Sequence, residues 1–63
     1  MEDYQKRVIE EKQELDRKIG KLTSFLDSIP GKSLNGDESE RMKRQLTLMG
    51  NYSDVLGERM ESF

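Results

Sequence analysis

The chain contains no cysteine, no histidine and no tryptophan. Without cysteine there is no disulfide, and without cysteine and histidine the usual ligands of zinc are gone. Thiol nucleophiles and imidazole general bases are excluded for the same reason. Serines such as Ser24 and Ser53 have no partner base, and no glycine-rich phosphate loop occurs. The sequence reads as a non-enzyme with neither metal nor cofactor. No apolar run approaches the 18 or so residues of a membrane span. Met1-Glu2-Asp3 is acidic and lacks the apolar stretch of a secretory signal, so a cytoplasmic location is expected. Charge of one sign is also missing. Eleven Lys and Arg stand against 13 Asp and Glu, for a net charge of −2. General nucleic-acid binding, which draws on a basic surplus, is not expected.

What is present is apolar residues spaced by seven. One row is Met1, Val8, Leu15, Leu22 and Ile29; the other is Met42, Met49, Leu56 and Phe63. Between them runs Ile29-Pro30-Gly31-Lys32-Ser33-Leu34-Asn35-Gly36-Asp37, rich in helix breakers. The pattern predicts an all-α fold, an antiparallel two-helix hairpin with a coiled-coil-like seam. The single domain spans 1–63, with a helix over about 3–28, a loop over about 29–37 and a helix over about 38–62. Asp3 is the expected N-terminal cap of the first helix, and Asp37 with Glu40 the capping pair of the second. Pro30 is expected to end the first helix. Lys12 falls on the seam between Val8 and Ile19, where its ammonium must reach solvent or a carboxylate. Ion pairs are expected at spacings of three and four, among them Arg7 with Glu10 or Glu11 and Glu14 with Lys18. Counting outward from the loop puts Leu15 near Ser53 and Val8 opposite Met60.

A chain of 63 residues with a thin apolar seam needs a staple. Oligomerisation is the one left. Leu48, Tyr52 and Val55 make a second apolar stripe, joined by Phe25 and Ile9 on the first helix. One hairpin cannot cover both stripes, so Phe25, Leu48, Tyr52 and Val55 are the expected interface of a homo-oligomeric helical bundle. Gly50 and Gly57, seven apart, point to close approach by another helix or by a ligand. Tyr4, Arg7, Glu11 and Arg59 gather at the open end, where a ring and guanidinium forks suit an aromatic phosphate compound. Ordinary surface ion pairs with Glu11 and Glu58 are the competing reading. Lys21, Lys43 and Arg44 make a smaller basic cluster near the loop.

The strings Tyr4-Gln5-Lys6-Arg7-Val8 and Tyr52-Ser53-Asp54-Val55-Leu56-Gly57-Glu58-Arg59 carry a resemblance. They are similar to a Tyr-Gln-x-Arg-Val opening and a Tyr-Ser-x-x-Leu-x-x-Arg close. That pattern resembles a family of very small helical-hairpin proteins from tailed phages and prophages, crAss-like phages among them. More distantly, the chain resembles the hairpin domain of phage anti-CBASS and anti-Thoeris sponge proteins. The resemblance implies a homo-oligomer in the bacterial host cytosol that sequesters a nucleotide-derived immune second messenger between protomers. A cyclic oligonucleotide or ADP-ribose-type signal is the implied ligand. By chemistry, Tyr4, Arg7, Glu11, Tyr52 and Arg59 are the candidate ligand-binding residues. The alternative is a structural or adaptor hairpin that binds a protein partner or only itself.

Overall fold

A computed structural model describes all 63 residues. Two long helices fold back on each other: α1 over Asp3–Asp27 and α3 over Gly36–Glu61. A single helical turn, α2 over Ile29–Lys32, joins them. The particle is a rod of 45 × 15 × 13 Å. No helix is long and apolar enough to cross a membrane.

The helix ends differ from the sequence expectation in identifiable ways. Glu2, not Asp3, occupies the N-cap of α1, and its backbone N–H donates to Gln5 Oε1 at 2.9 Å. Asn35, not Asp37, caps α3; its side-chain oxygen accepts from the Glu38 N–H at 2.9 Å. The break after α1 falls at Ser28, whose backbone is extended. Ser28 serves both sides of the break. Its hydroxyl donates to the Phe25 carbonyl and accepts from the Gly31 N–H at 3.2 Å. Pro30 therefore sits inside the first turn of α2, where its missing N–H costs nothing. Residues 29–32, expected as open loop, are helical. Ile29, expected on the seam, is 83% exposed, because α1 has already ended before it.

Between the helices, a strict three–four alternation fills the seam. On α1 it reads Val8, Lys12, Leu15, Ile19, Leu22 and Leu26; on α3 it reads Met42, Leu46, Met49, Ser53, Leu56 and Met60. All twelve are buried or half-buried, Leu56 completely and Val8 nearly so. This is heptad packing with one polar layer. In that layer the Lys12 ammonium donates to Ser53 Oγ at 2.7 Å and to Asp16 Oδ2 at 3.2 Å. The Ser53 hydroxyl in turn donates to Asp16 Oδ1. Lys12 thus meets a carboxylate, one of its two expected fates, and also a buried hydroxyl on the opposite helix. Lys12 beside Ser53 corrects the expected pairing, which put Leu15 there. Helix ends at Asp27 and Gly36, rather than Ser28 and Glu38, slide the pairing by three residues. The surface pairs also differ. Glu14 pairs with Arg17 rather than Lys18, Arg41 pairs with Glu38, and Arg7 pairs with neither Glu10 nor Glu11.

The polar layer ties stability to acid. The Ser53 hydroxyl, above all, and then the Lys12 ammonium hold the Asp16 carboxyl below its ordinary value of 3.8. A carboxyl depressed in the folded state is charged there while the unfolded state is taking up protons. Its contribution is complete above the ordinary value and is lost as pH falls through the depressed one. Asp16→Asn is expected to flatten that part of the acid limb in melts recorded between pH 5 and pH 2. An unchanged acid limb would show that the layer does not hold the helices together.

Gly50 and Gly57 are not explained by packing within the hairpin. A Cβ on Gly50 would meet nothing within 4 Å, and one on Gly57 would lie 3.6 Å from Lys12 Cε, an ordinary contact. Gly20, in the middle of α1, is also open. Gly20→Ala is expected to stabilise the fold by about 0.5–1 kcal/mol through helix propensity. A urea titration reads this directly, and a loss of stability instead would place a second chain against Gly20.

Candidate functional site

The seam uses only one stripe of each helix, so the neighbouring stripe decides what the molecule presents. On one flank of the seam lie two open grooves. The first, of about 490 Å³, is lined by Lys18, Lys21, Leu22 and Phe25 of α1 and by Met42, Gln45 and Met49 of α3. The second, of about 350 Å³, is lined by Arg41, Arg44, Gln45, Leu48, Met49 and Tyr52. Gln45 and Met49 line both, so the grooves share one face.

Helical spacing extends that face along the rod. On α3 the steps of four and three run Arg41, Gln45, Leu48, Tyr52, Val55 and Arg59. On α1 the matching steps run Tyr4, Arg7, Glu11, Glu14, Lys18, Lys21 and Phe25. Tyr4, Arg7, Glu11, Phe25, Leu48, Tyr52, Val55 and Arg59 all lie on one of these two rows; Ile9, expected to join the stripe, does not, because helical spacing turns it to the other flank of the seam, where it is half-buried. The hairpin leaves the face uncovered: Leu48 is 62% exposed, Val55 49% and Tyr52 46%. Such an apolar stripe rimmed by charge is unusual on a free monomer.

At the open end, the Tyr4 ring meets Phe63 edge-on, with centroids 6.0 Å apart and planes at 87°. Arg7, Glu11 and Arg59 are exposed and make no ion pair within the protomer. The competing surface pairs of Arg7 with Glu11 and of Arg59 with Glu58 are not formed. Tyr52 does not join this group. It lies two turns from Arg59, about 10 Å along the helix, and lines the second groove with Arg41 and Arg44. Two cation groups result, one at each end of the same face.

Near the loop, Arg44 and Lys21 line grooves as part of the basic cluster read from the sequence, but Lys43 lines neither. Arg41 takes its place, three residues before Arg44 and on the row of Leu48 and Tyr52. The three-residue step from Arg41 to Arg44 puts both on one side of α3, whereas Lys43, next to Arg44 in sequence, is turned away. Arg41 is held by Glu38 at 3.3 Å; Lys18, Lys21 and Arg44 make no ion pair. Glu14 is kept charged by the Arg17 guanidinium, whose hydrogen bond draws its carboxyl below the ordinary 4.5. The face can therefore offer aromatic surface, apolar surface and unengaged cations together. It offers no buried acid or base, and no enclosed cleft in which one would be tuned.

No curated protein and no solved structure matches the chain. One family model does match, that of Sequestin, over residues 2–62. With that match running almost end to end, the chain belongs to the Sequestin family.

Proposed function

We propose that this protein is a cytoplasmic, phage-type sponge that sequesters a nucleotide-derived immune second messenger in pockets between protomers, without catalysis. The observation that carries the reading is the single uncovered face. It carries Tyr4, Arg7 and Arg59 toward the open end and Tyr52 with Arg44 along the second groove, and Arg7, Arg44 and Arg59 have no ion-pair partner in the protomer. The family name, Sequestin, speaks of sequestration, and a binding role fits a surface without acid–base machinery. The resemblance to anti-CBASS and anti-Thoeris sponges supplies the ligand class, a cyclic oligonucleotide or an ADP-ribose-type signal. Phosphate bound between two guanidinium groups gains charge-assisted hydrogen bonds of about 1.5–3 kcal/mol each. A base stacked on tyrosine adds about 1–3 kcal/mol.

Calorimetry against cyclic di- and trinucleotides and ADP-ribose derivatives tests this. Binding below about 100 μM, near 5.5 kcal/mol, is expected for at least one member. Arg7→Ala combined with Arg59→Ala is expected to lose that binding while keeping the assembly. Failure across the panel favours the alternative, a structural or adaptor hairpin that binds a protein partner or only itself. Binding that survives both arginine substitutions keeps the sponge and moves its site.

A further inference from the structure

The two rows on the uncovered face are each nearly symmetric about their own middle. On α3, Leu48 and Tyr52 lie either side of the level of Gly50, which itself sits on the opposite side of the helix, with Arg41 and Arg59 at equal distances beyond them. On α1, Glu11 and Lys18 flank the level of Leu15, with Tyr4 and Phe25 beyond. The two midpoints lie at nearly the same height on the rod, since Lys12 is beside Ser53. A twofold interface needs a patch that is complementary to itself; Leu48 with Tyr52, Glu11 with Lys18 and Tyr4 with Phe25 meet that need, while Glu14 falls at the axis, held by Arg17 of its own chain, and the cations at the two ends face one another.

We propose that a second copy covers this face, turned about a twofold axis that crosses the helices at the level of Leu15 and Gly50. The partner's α1 then lies antiparallel on α1, and the partner's α3 antiparallel on α3. One axis position satisfies three contacts together: Leu48 on the partner's Tyr52, Glu11 on the partner's Lys18, and Phe25 on the partner's Tyr4. Glu11 and Lys18 have no ion pair in the protomer and gain one here. The size also fits. A face of 45 × 15 Å outlines roughly 700 Å², against about 800 Å² per partner in a standard stable interface. The protomer's surface of 4870 Å² exceeds the roughly 4,200 Å² expected of a compact chain of this mass.

The same axis has an electrostatic consequence. At each end it brings Arg7 and Arg59 of one protomer to Lys21, Arg41 and Arg44 of the other. Like charges so gathered repel unless an anion lies between them. Each dimer therefore holds two equivalent sites for a di- or polyphosphate, each built from both chains and absent from either alone. This deepens the sequestering reading and rests on it for the ligand class. The cross-strand arrangement is tested without any nucleotide.

Because the chain has no cysteine, an introduced pair reports cleanly. Positions 4 and 25 are about 31 Å apart on one helix, far beyond disulfide reach, so a bond between them must join two chains. Tyr4→Cys with Phe25→Cys is expected to give a covalent dimer under mild oxidation. An axis parallel to the helices would set positions 4 and 25 at opposite ends and give none. Sedimentation in sodium pyrophosphate, against sodium chloride at equal ionic strength, reads the anion sites. Pyrophosphate is expected to tighten the wild-type dimer roughly tenfold. Arg59→Glu is expected to tighten it in chloride, by turning repulsion from the partner's Arg41 into attraction, and to cancel the pyrophosphate effect. Absence of the disulfide overturns the arrangement. A disulfide with identical dimerisation in both salts, or an Arg59→Glu dimer no tighter than wild type in chloride, overturns the shared anion sites. Neither result bears on the nucleotide panel, and failure of that panel leaves the cross-link standing.

Discussion

Gly31→Ala is expected to destabilise the hairpin by at least about 3 kcal/mol. Gly31 is buried under the end of α1. A Cβ there would run into the Phe25 carbonyl oxygen and lie 2.8 Å from Leu26 Cα. These neighbours are backbone atoms, so no side chain can swing aside. Either α2 lifts off the end of α1 or the last turn of α1 unwinds. Both break the Ser28 hydroxyl bridge that joins the two helices at Phe25 and Gly31. A small domain has on the order of 5–15 kcal/mol in total, and one this short sits low in that range. Gly36→Ala is the matched control. It is the first residue of α3, at the far end of the same connection, and a Cβ there would meet nothing within 4 Å. Urea titrations followed by circular dichroism are expected to show Gly36→Ala at or above wild type and Gly31→Ala far below. Equal midpoints for the two would remove the tight turn as the element that closes the hairpin.

Nothing in the sequence singles out Gly31 among five glycines, because what forbids a side chain there is the path of the backbone. The seam was legible for the opposite reason. Steps of three and four between apolar residues are a local property that burial on one helix stripe imposes. Lys12 stood out on that stripe as a charged residue. Its counterpart Ser53 could have been found the same way, since the steps from Met49 to Leu56 leave a vacant seam position there. Pairing across the hairpin was less accessible. It depends on where each helix ends, and those ends turn on single hydrogen bonds, from the Glu38 N–H to Asn35 and between Ser28 and its neighbours. Moving the boundaries by one and two residues slid the partners of every seam residue.

The candidate face was legible as separate pieces. Leu48, Tyr52 and Val55 declared themselves as a stripe, and Tyr4, Arg7, Glu11 and Arg59 as an open-end group. That both belong to one face follows only once the two helices are placed side by side with their shared groove at Gln45 and Met49. Tyr52 then separates from Arg59 and joins Arg41 and Arg44. The cations thus form two groups rather than one. Either group alone is a patch of ordinary surface charge, whose pairwise worth in water is small. Holding an anion would take convergence and exclusion of water, which the second chain proposed above would supply.

Leu48→Asp is therefore expected to abolish assembly and, with it, most of the helix content at micromolar concentration. Within a single hairpin the change is nearly harmless. Leu48 is 62% exposed, and aspartate costs a few tenths of a kcal/mol in helix propensity. Arg44, one turn earlier, even offers it a weak surface pair. Covered by a second chain, the same carboxylate loses its water, and each protomer of the dimer carries one. An inadequately paired buried charge costs several kcal/mol, more than a single apolar side chain contributes. Since only Val8 and Leu56 among the apolar side chains are fully covered in the protomer, the hairpin has little in reserve once association is lost. Leu48→Ala separates the charge from the lost area: it is expected to weaken association without preventing it at higher concentration. Sedimentation and circular dichroism over a dilution series read both quantities, and wild type is expected to lose helix content on dilution as it dissociates. A Leu48→Asp protein with the wild-type melting temperature and sedimentation coefficient would show that the hairpin stands alone and that nothing covers this face.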